Sequence, residues 1–175
     1  MDARERLTSA IVKTEWKMFQ AVPNAGGKAA CQEDLNTFRI MRAGQAAGWS
    51  EAALESYLND LREAENSGRN LLTEKYARMM QCTWPDEYAR IEHLLPPLDP
   101  TSVGLIREIV GVVLKWEQEL LEKYPHILRR GRPIFSTEDS PGITSLETYL
   151  KGELATYSAR TLELYLAHVR QLESE

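Results

Sequence analysis

"NTFRIMRAGQAAGWSEAALESYLNDLREAE", residues 36–65, has a diverged second copy in the other half of the chain. A shift of 108 positions lays it on residues 144–173, "TSLETYLKGELATYSARTLELYLAHVRQLE", with nine identical pairs among 30. The pairs are Gly44 with Gly152, Ala47 with Ala155, Ser50 with Ser158, Leu54 with Leu162, Glu55 with Glu163, Tyr57 with Tyr165, Leu58 with Leu166, Arg62 with Arg170 and Glu65 with Glu173. We interpret this similarity as an internal duplication, which bears directly on the fold.

The similarity extends to the residues that precede each copy. Each half has the same order of features: a long helix with a tryptophan (Trp16 or Trp116), an irregular loop, a Glu-Asp pair, a helix, a serine N-cap and a further helix. The sequence therefore predicts an all-α fold, a single helical-bundle domain over residues 1–175 with about seven to eight helices. Two three-helix units, roughly 3–67 and 101–173, are expected to be related by a pseudo-twofold axis. Residues 68–100 are expected to connect them through two short helices.

Local signals agree with this helical prediction. Residues 3–21 and 101–124 carry apolar side chains at helical spacing, and no segment alternates with period two. Ser50 is a predicted N-cap, Gly68 a helix end and Asn70 the start of a shorter helix. Thr144 and Glu147 have the spacing of a capping box.

The composition bounds the class of protein. A net charge of -5 makes nucleic acid and anionic membranes poor partners, and no apolar run is long enough for a membrane span. The first residues lack the pattern of a secretory signal, so we expect a cytoplasmic protein in which Cys31 and Cys82 are free thiols. The chain has no glycine-rich phosphate motif and no Glu-x-x-His pair, so no cofactor is predicted and a ferritin-like di-iron site is not expected.

One face of the predicted helix 36–49 mixes apolar and polar residues. Its members are Phe38, Met41, Arg42, Gln45 and Trp49, and their counterparts in the second copy are Leu146, Tyr149, Leu150, Glu153 and Tyr157. Because an unpaired buried charge costs several kcal/mol, we expect Arg42 to contact Glu153 or one of the Glu-Asp pairs. Such a pair could be structural, or it could face a ligand. The opposite side, with Ala43, Gly44 and Ala47, is expected to admit a closely packed helix.

The two Glu-Asp pairs are Glu33-Asp34 and Glu138-Asp139, and both precede helix starts. Capping and interaction with the helix dipole would explain them. Alternatively the two pairs converge, so that one carboxyl acts as an acid and another as a base, or four carboxylates hold a hard cation. In the loop of the second half, Arg130 and Arg132 could clamp a phosphate or carboxylate, or could simply lie in solvent.

These considerations give a candidate site between the two units. The candidates for acid–base chemistry are Glu33, Asp34, Glu138, Asp139 and Glu153. The candidates for ligand binding are Arg42, Gln45, Trp49, Arg130, Arg132, Tyr149 and Tyr157. No metal ligands are assigned.

Several longer motifs resemble a known family. They are Glu15-Trp16-x-Met18-Phe19, Cys31-Gln32-x-Asp34, Phe38-Arg39-x-Met41-Arg42, the run from Gly68 to Met80, Arg130-Gly131-Arg132-Pro133-Ile134 and the run from Glu147 to Ser158. This pattern resembles a mainly bacterial family of helical proteins classed as a domain of unknown function. The resemblance implies the same architecture over nearly the whole chain and transfers no catalytic role.

Two functions remain open from the sequence. The first is a protein or enzyme that binds a small polar molecule in a pocket between the units, with carboxylates as acid and base if it is catalytic. The second is a noncatalytic helical interaction module, possibly a homodimer, whose buried polar residues are structural.

Overall fold

The computed structural model describes residues 2–24 and 26–174, and the described residues form helices and loops without a strand. The helices are α1 (Ala3–Gln20), α2 (Leu35–Ala47), α3 (Glu51–Asn66), α4 (Leu71–Thr83), α5 (Pro85–Ile91), α6 (Pro100–Lys123), α7 (Pro125–Leu128), α8 (Leu146–Leu154) and α9 (Ala159–Ser174). The all-α prediction is confirmed. The nine helices of these ranges exceed the expected seven to eight because α7 is a separate single turn. None of the helices described is long and apolar enough to cross a bilayer.

Most predicted helix ends are present. The Ser50 hydroxyl accepts from the Ala53 amide at 3.2 Å, and the Asn70 side chain accepts from the Thr73 amide at 3.0 Å. Gly68 ends α3 with a φ of 71°, a conformation that glycine adopts without steric cost.

The predicted capping box of Thr144 and Glu147 is wrong by one residue. Ser145 is the N-cap of α8, and its backbone amide donates to Asp139 rather than to a glutamate of the first turn. Glu147 instead accepts from the backbone amide of Ser136 at 2.8 Å. The loop before α8 therefore supplies the capping carboxylate.

The helices pack in corresponding ways in the two halves. Helix α1 packs against α2 and α3, while α6 packs against α8 and α9, and α3 and α9 meet each other. The connecting helix α4 packs against α8 and α1. The largest fully buried apolar side chains are Leu54, Leu61, Ile109, Leu154 and Leu162. The internal duplication itself stays a prediction.

The close helix approach occurs on α8, not on α2 as expected. A Cβ on Gly152 would lie 3.0 Å from the backbone oxygen of Lys75 in α4, whereas nothing lies within 4 Å of one on Gly44. The reason is that α4 packs closely against α8 but not against α2. Helix α2 consequently buries only Ala46 fully, and Met41, expected inward, is 67% exposed.

Helix α6 is buried most deeply along its first half. Ile106, Ile109 and Val110 are buried, Val113 and Leu114 are partly buried against the core, and Leu120 is exposed. The second half of α6 contributes Glu117 and Leu121 to the wall of a cleft described below.

Candidate functional site

A buried network of charged side chains joins α1, α2, α4 and α8. Arg42 on α2 donates from Nε to Glu15 Oε2 at 2.7 Å and from Nη2 to Glu15 Oε1. Its Nη1 donates to Glu153 Oε1 at 3.0 Å and to Gln45 Oε1 at 2.6 Å. The predicted contact between Arg42 and Glu153 is thereby confirmed.

Both carboxylates have further partners. Glu153 accepts from Gln45 Nε2 at 2.8 Å, from the Tyr157 hydroxyl at 2.8 Å and from Lys75 Nζ at 2.6 Å. Glu15, which is fully buried, accepts from the Tyr57 hydroxyl at 2.7 Å. Two cations thus balance two carboxylates, and the network is formally neutral.

The electrostatics hold these groups in fixed charge states. Burial favours the neutral form of Glu153, but the nearby Arg42 and Lys75 outweigh it and hold the pKa of Glu153 well below its usual range. Burial likewise opposes the charge on Arg42, yet Glu15 and Glu153 raise its pKa. Burial, reinforced by the carboxylates, raises the pKa values of Tyr57 and Tyr157. Glu153 therefore has no proton to donate near neutral pH, and its environment suits a structural anion.

Arg42 is also nearly saturated. A guanidinium has five N–H donors, and the four hydrogen bonds above use most of them. A ligand could bind Arg42 only at one remaining N–H or by displacing a carboxylate. The prediction that Arg42 orients an acidic ligand group gains no support from this geometry.

A cleft of about 850 Å³ lies beside the network, between α2, the end of α6, residues 127–135 and α8. We call it the α2–α8 cleft. Its apolar lining comes from Met41, Leu121, Ile127, Leu128, Pro133, Ile134, Phe135 and Leu146. Its polar lining comes from Arg42, Gln45, Glu117, Arg129, Arg132, Glu138 and Tyr149. Five predicted site residues therefore meet at this cleft: Arg42, Gln45, Arg132, Glu138 and Tyr149.

Tyr149 links the cleft to the buried network. The Lys75 ammonium lies 3.8 Å from the centroid of the Tyr149 ring, and the Arg132 guanidinium carbon lies 4.9 Å from it. Arg132 also donates to the backbone oxygen of Thr144 at 3.2 Å. These contacts orient an exposed arginine along the wall of the cleft.

Glu117 is a cleft residue that the sequence prediction missed. It lies on α6, is half-buried, and burial raises the pKa of its carboxyl group. Glu15 and Lys75 of the network were missed as well. Each of the three lies four residues from an inward apolar residue, namely Ile11, Leu71 and Val113. That spacing is the signal that could have found them.

The remaining acidic candidates are separated. Asp34 caps α2 by accepting from the Thr37 amide at 2.9 Å, and this hydrogen bond lowers its pKa. Asp139 accepts from the Ser145 amide and the Thr148 hydroxyl. Glu33 is exposed and does not line the cleft. Within residues 2–24 and 26–174 no three acidic, histidine or cysteine side chains form a group that could hold a metal ion, and of the two Glu-Asp pairs Glu138 alone lines the cleft.

Two of the three aromatic candidates, Trp49 and Tyr157, lie outside the cleft. Trp49 and Tyr157 are buried, with ring centroids 5.6 Å apart, and Tyr57 lies 4.6 Å from Tyr157. They do not line the cleft, and neither does Arg130, whose place there is taken by Arg129. Trp49, Tyr157 and Arg130 are therefore not brought to a common ligand surface.

Fold and site together define an all-α protein with a neutral, buried charge network beneath an open cleft. The chain belongs to the family described as "Protein of unknown function (DUF4125)", whose model matches residues 5–175. This confirms the resemblance to a helical family without an assigned activity. No curated protein and no solved structure matches the chain.

Proposed function

We propose that the protein binds a small molecule with an acidic group in the α2–α8 cleft. The observation that carries this proposal is the combination of size and lining. A volume of about 850 Å³ is in the range of small-molecule sites, and an apolar lining with a few polar groups is typical of them. The buried network beneath supports the polar groups on rigid elements.

The binding groups are the exposed arginines rather than Arg42. Arg129 and Arg132 line the cleft, and their guanidinium groups match the geometry of carboxylate and phosphate oxygens. Arg42 and Gln45 form a fixed part of the wall because their side chains are already engaged. The apolar lining would contact the body of the ligand.

If the protein is an enzyme, we propose Glu117 as its acid or base. Its raised pKa moves the carboxyl group toward neutral pH, where general acid–base catalysis is most effective. Glu138 is the second carboxyl of the cleft. The other predicted acids serve as caps, lie outside the cleft or, like Glu153, hold no exchangeable proton.

The proposal is tested by thermal shift with a panel of small carboxylic acids and phosphorylated metabolites. Arg132→Ala removes a cleft arginine, and Arg130→Ala is its matched control outside the cleft. Met41→Trp fills the cleft, and Ile40→Trp alters the exposed neighbour that does not line it. We expect ligand-induced shifts in the wild type and both controls and their loss in Arg132→Ala and Met41→Trp. Equal shifts in all five proteins would contradict the proposal.

A second candidate function is a noncatalytic interaction module that forms a homodimer. Two observations favour it: the network is internally paired, and Met41 and Ile127 expose apolar surface in the same cleft. Analytical ultracentrifugation over a hundredfold concentration range distinguishes the two. Dimerisation that Met41→Trp abolishes would favour the module, whereas a monomer throughout would favour the small-molecule site.

We also propose an internal duplication and a cytoplasmic location. The corresponding helix pairings support an internal duplication whose halves diverged at Arg42 and Glu153, the residues that now link them. The exposed free thiols of Cys31 and Cys82 support a reducing, cytoplasmic location.

A further inference from the structure

A second, separate groove lies between α4, α5, α6 and α8. It has a volume of about 520 Å³, and its floor is apolar: Leu98, Val103, Ile106, Val110 and Leu114. Arg78, Arg107 and Lys151 contribute three cations to its lining, against the single carboxylate of Glu147. We call it the Arg78 groove. It is positively charged in a protein whose net charge is -5.

Arg78 is the unusual residue of this groove. Its Nη2 donates to the backbone oxygen of Pro96 at 2.6 Å. Its Nε is, within the described ranges, the one buried side-chain nitrogen or oxygen without a hydrogen-bond partner. Burial lowers the pKa of this guanidinium, and the nearby Tyr88 and Glu74 offset that effect only in part.

Three carboxylates near Arg78, those of Glu74, Asp99 and Glu147, have hydrogen-bond partners of their own. Glu74, one helical turn earlier on α4, accepts from Arg69 Nε at 2.8 Å and from Arg69 Nη2 at 2.7 Å. Asp99 accepts from the amide and hydroxyl of Ser102 at 3.0 Å and 2.6 Å.

Glu147, which lines the groove, accepts from Lys151 and from the Ser136 amide. Among residues 2–24 and 26–174, Arg78 forms no ion pair, and its one hydrogen bond from Nη2 goes to the backbone oxygen of Pro96. A half-buried cation without an ion-pair partner costs folding free energy, and a bound anion would offset that cost.

We propose that the Arg78 groove binds a monocarboxylate with an aliphatic hydrocarbon body. The carboxylate pairs with the Arg78 guanidinium, and the hydrocarbon lies on the aliphatic floor. The volume of the groove is in the range of small-molecule sites, and its charge is complementary to a single anionic group. This site is distinct from the α2–α8 cleft and does not depend on the function proposed for it.

Calorimetric titration with octanoate tests the proposal, and 1-octanol serves as the neutral probe of equal chain length. Arg78→Gln removes the charge but keeps a donor for Pro96. Arg90→Gln is the matched control, an exposed arginine on α5 outside the groove. Val103→Trp blocks the groove with a bulky side chain and leaves Arg78 in place. Arg132→Ala alters the α2–α8 cleft instead.

We expect octanoate to bind the wild type, Arg90→Gln and Arg132→Ala. Binding should weaken about tenfold or more in Arg78→Gln and for octanol, since a hydrogen bond to a charged group is lost. Val103→Trp should not bind. Urea unfolding should show Arg78→Gln at least as stable as the wild type without ligand.

Four results would overturn the proposal: unchanged affinity in Arg78→Gln, equal affinity for octanol, binding lost in Arg132→Ala instead, or no binding of octanoate by the wild type, whether it is monomeric or dimerises through the groove. The third would support the α2–α8 cleft, so the two proposals fail separately.

Discussion

At the scale of single residues, Glu153 is the point where most of the buried network meets. It binds Arg42 from α2 and Lys75 from α4, and both cations are about as inaccessible to solvent as the carboxylate. Replacing a whole buried ion pair by well-packed apolar residues often leaves the stability unchanged. Removing one partner alone leaves the other charge buried and unpaired, which is destabilising. The network therefore fixes which helices meet more than it adds stability.

Glu153→Gln is expected to lower the free energy of unfolding by about 3–5 kcal/mol, because Lys75 is then left as a buried, unpaired cation. Urea denaturation measures the change. The double variant Glu153→Gln with Lys75→Met removes one charge of each sign and leaves Arg42 paired with Glu15.

We expect that double variant to be at least about 1 kcal/mol more stable than Glu153→Gln alone. Glu173→Gln is the control, because its ion pair with Lys115 is exposed, and it should change stability by less than about 0.5 kcal/mol. A Glu153→Gln protein as stable as this control would contradict the structural role of the network.

At the scale of helices, α2 and α8 occupy corresponding positions in the sequence alignment but differ in what covers them. Helix α8 is packed by α4 and buries Leu150, Gly152, Glu153 and Leu154, whereas α2 fully buries Ala46 alone. Helix α2 is held by the aromatic contacts of Phe38 with Trp16 and Phe19, each at 5.1 Å, and by Arg42. The connecting helix α4 thus makes the two halves unequal in how deeply α2 and α8 are buried.

This asymmetry predicts opposite effects for one substitution at two aligned glycines. Gly152→Ala should destabilise by about 1–3 kcal/mol, because the new methyl group would lie 3.0 Å from the Lys75 oxygen and the Met79 side chain. Gly44→Ala has free space and should stabilise by about 0.5–1 kcal/mol through helix propensity. Urea denaturation of both variants tests this, and destabilisation of both alike would show that α2 is also tightly covered.

At the scale of the whole molecule, the sequence predicted what depends on local chemistry. Helix positions and the caps at Ser50 and Asn70 follow from spacing and capping rules, and the Arg42–Glu153 pair follows from the cost of a buried charge. Spacing alone could have marked Glu15 and Lys75 as inward-facing, but it could not identify them as partners of Arg42 and Glu153, or Tyr157 as a network residue rather than a wall of the cleft. Those depend on how α1 and α4 pack, which no local pattern specifies.

The same reasoning explains why most acidic candidates do not line the cleft. Asp34 accepts from the Thr37 amide at the start of α2 and Asp139 from the Ser145 amide at the start of α8, as the capping alternative predicted. The cleft has Glu117 and Leu121 of α6 in its wall, and two lining residues, the exposed Met41 and the half-buried Leu121, look from the sequence like part of a core face. In both cases the outcome depends on which neighbouring groups a side chain meets in the folded structure, and the sequence does not give that directly.

The charge network also predicts how the whole protein responds to acid. The pKa of Glu153 is lower in the folded state than its unfolded value of about 4.3, so the unfolded chain binds more protons between the two. The stabilising contribution of this carboxylate is complete above pH of about 4.3 and is lost as the pH falls toward the folded pKa. Asp34, Asp99 and Glu147 have lowered pKa values and act in the same direction, whereas the raised pKa of Glu117 acts in the opposite one.

We therefore expect the free energy of unfolding, measured by urea denaturation at pH 7, 5, 4 and 3, to be nearly constant down to about pH 5 and to fall below it. The double variant Glu153→Gln with Lys75→Met lacks the most strongly shifted carboxylate, so its stability should fall less steeply over the same range. Glu173→Gln, which alters an exposed pair, should follow the wild-type curve. Parallel curves for the double variant and the wild type would mean that acid acts through other carboxylates, and that Glu153 is not held ionised by its two cations.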